Sequence, residues 1–282
     1  MFNYRDFIRV LRDLGLAQGS RILVHARLAS LGEVTGGPEA VLGAFLAVGG
    51  TVVAPTFTYS AMVTPEIGPS DNGMGYGGAS DRNAAAQFFH PDLPVDPEMG
   101  SLAEALRHAQ GAARSEHPLF SFAGIGAEAA LTAQSLEDPL APIAALAEMD
   151  ADVVLLGADH TANVSLHHAE RLAGRRGFVR WALTPTGVIE CPGMPGCSDG
   201  FPAIAGRLEG VVRRATLGPV TIESFPLRDL LHIAVGWIRM DPEALLCENE
   251  GCAQCAAVRA STTEKRDRNW GRPTRGHASA SS

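Results

Sequence analysis

The chain has 282 residues, of which 46% are hydrophobic, so it can bury a sizeable core within one large domain. Its net charge of -8 disfavours nucleic acid and anionic membranes as partners, and favours a cationic small substrate. No apolar run approaches the length of a membrane helix, and the first residues lack the layout of a signal peptide. We therefore expect a cytoplasmic protein, either monomeric or homodimeric, that binds neither nucleic acid nor membrane.

The first sixty residues predict a helix followed by a βαβ unit. Apolar residues recur with helical spacing over residues 4–16, and strands are predicted at 21–25 and 51–57. The helix between the two strands begins at Gly36-Gly37-Pro38 and ends near residue 48. This order implies parallel strands with a right-handed crossover. The glycine-rich loop before the helix offers free backbone N–H groups, which are typical of a phosphate site.

Residues 58–97 are the least regular part of the chain and are rich in glycine and proline. Long irregular loops in compact domains are commonly lids or binding loops, so we expect a lid or insertion near 60–98. The region carries one arginine, Arg82, and a group of carboxylates that form either a solvated loop or an acidic rim attracting a polyamine. The carboxylates are Glu66, Asp71, Asp81, Asp92, Asp96 and Glu98.

From residue 99 onward, helical and strand patterns continue to alternate. Residues 152–158 predict a buried strand, and Ser165 is the expected cap of the helix that follows. A composition rich in Ser, Thr, Arg and Gly predicts a disordered tail over 260–282. The remaining predictions are helices at 99–109, 127–136, 141–149, near 199–215 and at 226–238, strands at 119–123 and 219–225, and a hairpin of strands 178–183 and 187–191.

Two histidines and two carboxylates follow the buried strand at 152–158, namely Asp159, His160, His167 and Glu170. Ligands bind at the ends of strands in open α/β sheets. His167 and Glu170 are three residues apart and share one face of the predicted helix. This spacing suits a general base and an acid that orients it.

Several short blocks in a fixed order resemble the aminoglycoside 3-N-acetyltransferase family, whose members transfer acetyl from acetyl-CoA to an amine. The resemblance extends from about residue 4 to 258. The blocks are His25-Ala-Arg-Leu-Ala-Ser-Leu-Gly32, Gly36-Gly37-Pro-Glu-Ala-Val41, Pro55-Thr-Phe-Thr-Tyr-Ser60, Arg114-Ser-Glu-His-Pro118, His160-x-x-Asn163-x-Ser165-Leu-His167-x-Ala-Glu170 and Cys252-x-x-Cys255.

The resemblance implies an α/β fold with a mixed layered sheet and helices on both faces, in a single domain over residues 1–259. It also implies an acyltransferase with His167 as the catalytic base, acetyl-CoA as co-substrate, a cationic amine as acceptor, and a role in antibiotic resistance. The expected cofactor-binding residues are Arg27, Leu28, Ser30, Leu31, Gly37, Thr56, Ser115 and Phe122. The expected acceptor-binding residues are Tyr59, Asp81, Glu98, His160 and Asn163.

The acid that orients His167 is open among three residues, Glu170, Glu190 and Asp199. Glu170 has helical spacing in its favour. In some relatives the acid lies where this chain has Pro195-Gly196, and Asp199 is the nearest carboxylate to that point. We favour Asp199 on this basis.

The chain departs from the family pattern at four positions. Ala26 and Arg27 replace a common pair of serines, which removes hydroxyls and adds a cation that can face a phosphate. Thr161 and Val164 replace a common Asp and Thr. These changes bear on recognition of the acceptor. The alternatives are therefore a biosynthetic N-acyltransferase acting on a different amine, or a CoA-binding relative without catalysis.

Four cysteines, Cys197, Cys247, Cys252 and Cys255, match the ligand number of a structural zinc site. Cys247-x4-Cys252-x2-Cys255 supplies three of the thiols, and Cys197 is the candidate for the fourth. The other interpretation is that these are buried or free thiols.

Overall fold

The computed structural model describes the backbone of residues 1–270, and the side chains of those residues except 79–80 and 263–270. Within these described residues, ten strands form a seven-stranded mixed sheet and a three-stranded antiparallel sheet. The strands are β1 (Ser20–Ala26), β2 (Gly49–Pro55), β3 (Met62–Val63), β4 (Ala113–Arg114), β5 (Phe122–Ile125), β6 (Asp152–Leu156), β7 (Phe178–Thr184), β8 (Gly187–Met194), β9 (Arg213–Leu217) and β10 (Val220–Pro226).

Helices and short 3₁₀ turns connect these strands. The α-helices are α1 (Tyr4–Asp13), α2 (Gly37–Val48), α3 (Ala79–Arg82), α4 (Gly100–His108), α5 (Glu128–Thr132), α6 (Ala141–Glu148), α7 (Ser165–Leu172), α8 (Leu227–Met240) and α9 (Ala253–Trp270). The 3₁₀ turns are Leu28–Leu31, Tyr59–Ala61, Pro97–Met99, His160–Ala162 and Phe201–Arg207. Throughout the part of the chain that the structure describes, no helix is long and apolar enough to cross a membrane.

The large sheet has the strand order β4-β5-β2-β1-β6-β10-β9. Strand β1 is parallel to both β2 and β6, and the other neighbouring pairs are antiparallel. The predicted βαβ unit is therefore present as β1-α2-β2. The carboxyl ends of β1, β2 and β6 meet at one edge of the sheet, where loops from all three strands converge.

Successive side chains of the central strands pack alternately into two separate hydrophobic cores. Ile22 and Val24 of β1 pack in one core with buried residues of α1, α2 and α4. Leu23 lies in the other core, with residues of α5 to α8. Successive side chains of a strand point to opposite faces, so a strand that is apolar at every position must be covered on both sides. The expected helices on both faces of a mixed sheet are thus present.

Three local predictions were wrong. The helix expected near 199–215 is a 3₁₀ turn followed by β9, since Arg214 pairs across the sheet with Glu223 of β10 at 2.8 Å. Ser165 does not cap α7, because the side chain of Asn163 accepts the Ser165 backbone N–H. The strand expected at 119–123 begins at Phe122, because a turn precedes it in which His117 Nδ1 accepts two backbone N–H groups.

The irregular segment near 60–98 is held in place by two asparagines. Asn72 accepts the N–H of Val179 and donates to its carbonyl, both at 2.8 Å, which joins the segment to β7. Asn83 makes the same pair of bonds with the backbone of Thr64. At the other end of the chain, the expected tail from residue 260 differs from the structure, where α9 continues to Trp270. The rest of that tail, 271–282, lies outside the described residues.

Candidate active site

A cavity of about 970 Å³ opens at the carboxyl ends of β1 and β2. Its walls come from the end of β1 and the loop after it, the end of β2, the first turn of α4, the first turn of α7, and the loop that follows β8. A cavity at the carboxyl edge of parallel strands is the usual ligand site of an open α/β sheet. Residues as distant in sequence as Val24 and Gln254 line it, so the whole described chain contributes to one site.

His167 lines this cavity from the first turn of α7. Its Nδ1 lies 2.8 Å from Glu170 Oε2, and the ring packs 4.6 Å from the Phe201 ring, centroid to centroid. A carboxylate only accepts hydrogen bonds, so the shared proton lies on Nδ1. Nε2 is then the ring nitrogen that carries a lone pair and can accept a proton from a substrate.

Glu170 is itself held by Arg175. Arg175 Nη1 lies 2.5 Å from Glu170 Oε1, and its side chain is only 3% exposed. The other end of the guanidinium donates to the carbonyls of Pro242 and Ala244, at 2.8 and 2.7 Å. The carboxylate therefore lies between a fixed cation and the imidazole, and these contacts fix its orientation.

Asp199, the acid favoured by the sequence, also lines the cavity, and its backbone N–H donates to Cys197 Sγ at 3.4 Å. Glu190 accepts a bond from the indole of Trp181 at 3.3 Å. Among the described residues, the carboxylate in contact with His167 is that of Glu170. The physical reason is the helix, which brings residues three apart onto one face.

The expected cofactor-binding residues divide into three groups. Arg27 and Leu28 line the cavity. Ser30 and Gly37 are outside the cavity wall: Ser30 is exposed, with its Oγ 2.7 Å from the Arg27 carbonyl oxygen, and Gly37 begins α2. Leu31, Thr56, Ser115 and Phe122 are buried and are also outside this wall, so their role in binding the cofactor stays a prediction.

Hydrogen bonds explain why two of these residues are buried. Thr56 Oγ1 lies 3.2 Å from Ser121 Oγ, and Ser115 Oγ accepts the Phe122 N–H at 2.8 Å. Both hydroxyls join β5 to its neighbouring segments. Their contribution is to the wall behind the cavity.

Of the expected acceptor-binding residues, Tyr59 and Glu98 line the cavity. Burial, together with the carboxylates of Glu98 and Asp96, raises the pKa of the Tyr59 phenol. Asp96, predicted only as part of an acidic rim, lines the cavity as well. Together with Asp199, these groups give the cavity three carboxylates.

The other three expected acceptor-binding residues lie elsewhere. Asp81 is exposed on α3. Asn163 is buried, with its Oδ1 accepting the Ser165 N–H at the start of α7, and His160 is buried beside Phe225, with ring centroids 5.3 Å apart. Burial lowers the pKa of His160, and Glu223 opposes that shift. None of these three is in the described cavity wall.

Two cavity residues had no predicted role. His25, at the end of β1, is buried, and burial together with the neighbouring His160 lowers its pKa to about 3. His25 is the first residue of one of the family-like blocks, and this position was the sequence feature that could have identified it. Arg180 is a buried arginine on β7 whose Nη1 donates to the Val179 carbonyl at 2.8 Å. Nothing in its local sequence distinguishes it from a surface strand residue.

The four cysteines of the predicted metal site come together beside the cavity. Their Sγ atoms all lie within 4.8 Å of one another. We call Cys197, Cys247, Cys252 and Cys255 the cysteine cluster.

Comparison with known proteins places these features in context. Residues 23–239 match the family model described as aminoglycoside 3-N-acetyltransferase. The chain is 34% identical over 258 residues to aminoglycoside N(3)-acetyltransferase VII of Streptomyces paromomycinus, covering 82% of this chain and 89% of the relative. It is 30% identical over 274 residues to aminoglycoside N(3)-acetyltransferase VIII of Streptomyces fradiae, covering 82% of this chain and 90% of the relative.

Solved structures confirm the predicted fold class. The aminoglycoside acetyltransferase AAC(3)-IVa apoenzyme superposes with a TM-score of 0.75 at 27% identity, covering 92% of this chain and 98% of that one. A mutant of AAC(3)-IVa in complex with apramycin gives 0.71 at 25% identity, with coverages of 90% and 98%. AAC-IIIb in a binary complex with CoASH gives 0.68 at 26% identity, with coverages of 84% and 96%.

Proposed function

Because the chain belongs to the aminoglycoside 3-N-acetyltransferase family, a family of acyltransferases that use acetyl-CoA, we propose that it acetylates an amine of an aminoglycoside with His167 as general base. The observation that carries the proposal is the position of the His167–Glu170 pair in the wall of the large cavity. Relatives of this fold bind CoASH in one structure and apramycin in another, which are the two kinds of molecule that the reaction brings together.

The chemistry needs a proton acceptor, because a protonated amine has no lone pair with which to attack a thioester. His167 Nε2 takes a proton from the acceptor ammonium group, and the neutral amine nitrogen then attacks the acetyl carbonyl. The C–S bond breaks, the new amide nitrogen loses its second proton to the departing thiolate of CoA, and His167 releases its proton to solvent. General base catalysis of this kind contributes about 10²–10⁴-fold to the rate.

Glu170 stabilises the imidazolium that forms during this transfer. Its carboxylate already accepts the Nδ1 proton at 2.8 Å, so the ring needs no reorientation when Nε2 becomes protonated. Arg175 holds that carboxylate from the opposite side. The three side chains therefore form a continuous series of contacts, and of the three only His167 lines the cavity.

Two parts of the cavity suit the two substrates. Arg27, Leu28 and the first turn of α4 offer a cation, an apolar surface and the N-terminal end of a helix, which suit the phosphates and pantetheine arm of CoA. The carboxylates of Asp96, Glu98 and Asp199 suit a polycationic acceptor. A volume of about 970 Å³ is of the size that two such ligands require at their reacting ends.

The proposed catalytic domain extends over residues 1–259. Its support is that residues from Val24 to Gln254 line one cavity. A separate domain would be expected to enclose a site from a shorter stretch of sequence.

Release of CoA thiol from acetyl-CoA, measured against a panel of aminoglycosides and simple polyamines, tests the proposal. We expect turnover with at least one aminoglycoside and a product heavier by one acetyl group by mass spectrometry. The replacements at Thr161 and Val164 favour a second acceptor class, a biosynthetic amine. Turnover with such an amine and none with aminoglycosides would select that alternative. Binding of CoA without turnover of any acceptor would indicate a non-catalytic relative.

A further inference from the structure

The cysteine cluster joins two segments that are far apart in sequence. Cys197 lies in the loop after β8, whereas Cys247 follows α8, and Cys252 and Cys255 lie at the start of α9. All four Sγ atoms are within 4.8 Å of one another, and those of Cys247 and Cys255 are 3.4 Å apart. All four are free thiols in the structure. The arrangement therefore gathers four sulfur atoms around one point without a disulfide.

The spacing of these sulfur atoms fits a tetrahedral metal site. A zinc ion with Zn–S bonds of ~2.3 Å places its four sulfur ligands ~3.8 Å apart. The separations of 3.4 to 4.8 Å in the cysteine cluster bracket that value. Four sulfur ligands fill the coordination of the metal, which is typical of a structural site and leaves no position for a substrate.

Hydrogen-bond donors lie close to the cysteine cluster. The backbone N–H of Asp199 donates to Cys197 Sγ at 3.4 Å, the kind of bond that supports a metal-bound sulfur. Cys252 immediately precedes α9, and Cys255 lies in its first turn. The guanidinium of Arg259 donates to the Cys247 carbonyl at 2.7 Å, which adds a positive charge nearby.

We propose that the cysteine cluster binds one zinc ion, which fixes the wall of the active-site cavity against the C-terminal segment. Gly196, Ser198 and Asp199 flank Cys197 and line the cavity. Gln254, between Cys252 and Cys255, lines it from the other segment. The zinc ion thus joins two stretches of cavity wall that no strand pairing connects within the described residues.

Close backbone contacts show that the two segments are built to meet. A Cβ atom placed on Gly200 would lie 2.5 Å from the Leu245 carbonyl oxygen. A Cβ atom on Gly196 would lie 2.9 Å from Phe178 Cε2 and 3.7 Å from Gln254 Cβ. Glycine is needed at Gly200 for the close approach to Leu245, and at Gly196 for the contact with the Phe178 ring, independently of any cysteine. The metal site therefore completes an interface that packing already defines.

Metal analysis of the purified full-length chain is the first test. We expect about one zinc per chain by inductively coupled plasma mass spectrometry. Replacement by cobalt should give the intense visible bands of tetrahedral cobalt with a thiolate charge-transfer band. Protein without bound metal across several preparations would overturn the proposal, as would iron in place of zinc. A disulfide between Cys247 and Cys255 in non-reducing peptide mapping would do the same.

Cysteine variants provide the second test. Cys197→Ala and Cys252→Ala should each lose the zinc and unfold at a lower temperature. Cys191→Ala is the matched control, since this buried cysteine on β8 lies outside the cluster, and it should retain one zinc. Cys252→His separates metal loss from misfolding, because histidine is also a zinc ligand. It should retain zinc with a shifted cobalt spectrum; loss of zinc from Cys191→Ala alone would contradict the assignment.

The proposed effect of the zinc ion on the active-site cavity rests on the proposed function, and a separate experiment tests it. Removal of zinc by a chelator should raise the KM for the acceptor at least about tenfold, because small displacements of binding groups are costly. The far-ultraviolet circular dichroism should stay largely unchanged, since the sheets do not contain the cluster. An unchanged KM after complete zinc removal would refute the link. A zinc-loaded chain without turnover would refute the function and leave the metal site intact.

Discussion

His167 Nδ1 and Glu170 Oε2 lie 2.8 Å apart within the first turns of α7, and neither side chain is more than 10% exposed. A single helical turn therefore supplies both the proposed base and the acid that orients it. Because both residues are on one rigid element, their geometry is independent of loop movements elsewhere in the site.

Replacing His167 by alanine should lower kcat by about 10²–10⁴-fold, because the proposed base is removed. Binding of CoA, followed by calorimetry, should persist because the Arg27 side of the cavity is unaltered. His232→Ala is the control, since that histidine is exposed on α8. Full activity of His167→Ala on the best acceptor would rule out the mechanism.

Glu170→Gln should lower kcat by about 100-fold or more, because the amide has nearly the same shape but cannot stabilise an imidazolium. Asp199→Asn should act mainly on the acceptor KM, since Asp199 lines the cavity whereas Glu170 is the carboxylate in contact with His167. Steady-state kinetics of the two variants distinguish these effects. The reverse pattern, with kcat lost in Asp199→Asn and retained in Glu170→Gln, would restore Asp199 as the orienting acid.

Arg175→Met should destabilise the fold by about 3 kcal/mol or more, because it leaves the Glu170 carboxylate and two carbonyls without their buried donor. Arg171→Ala is the matched control, because Arg171 is an arginine of α7 four residues before Arg175. Its ion pair with Asp138 is 41% and 34% exposed, so its loss should cost less than about 1 kcal/mol. Urea unfolding of both variants measures the difference, and equal losses would contradict a structural role for Arg175.

The fold should lose stability as pH falls from 6.5 towards 4. Burial lowers the pKa of His25 to about 3, and of His117 and His168 to about 4 each, from 6.5. Below pH 6.5 the unfolded chain therefore binds more protons than the folded chain, and stability decreases. The stability is fully present above pH 6.5, and each histidine removes about 1.4 kcal/mol per pH unit within this window.

His168→Leu tests this pH dependence. The Nδ1 of His168 is buried without a hydrogen-bond partner, so leucine should fit at little cost at pH 7.5. Unfolding free energies measured in urea at pH 7.5, 6.5 and 5.5 should fall less steeply for the variant than for the parent chain. Parallel curves would show that His168 does not titrate as expected.

Glu98→Gln should raise the KM for a polycationic acceptor several-fold while changing kcat little, because it removes a charge from the cavity wall. The difference from the parent chain should shrink as salt is added, since exposed charges are screened. Asp81→Asn is the control, because Asp81 is an exposed carboxylate of the same acidic segment outside the cavity wall. An equal rise in KM for Asp81→Asn would indicate that the whole segment attracts the acceptor.

Local sequence patterns predicted the parts of the fold whose partners are near in sequence. The β1-α2-β2 unit and the β7–β8 hairpin are examples, and both are present. Strand β9 was missed because its identity depends on pairing with β10 and on the cross-strand contact of Arg214 with Glu223. Strands β3 and β4 were also missed, since two residues carry no periodic pattern.

The candidate site shows the same difference between features visible in the local sequence and features that depend on the tertiary fold. His167 and Glu170 were found because a helical spacing of three is visible in the sequence. Thr56 and Phe122 were placed in the cofactor site because they lie within family-like blocks, yet their side chains point into the core. In extended segments the facing alternates with every residue, so a block identifies the neighbourhood and leaves the orientation open. Arg180 was missed because only the tertiary fold brings it to the cavity.

Gln254 lines the cavity although the last strand of the large sheet, β10, ends at Pro226. During synthesis, both sheets can therefore form before the final piece of cavity wall has left the ribosome. The chain can therefore form its sheets before it becomes active. A messenger truncated between these two points would yield a protein with its sheets complete and its acceptor site open on one side.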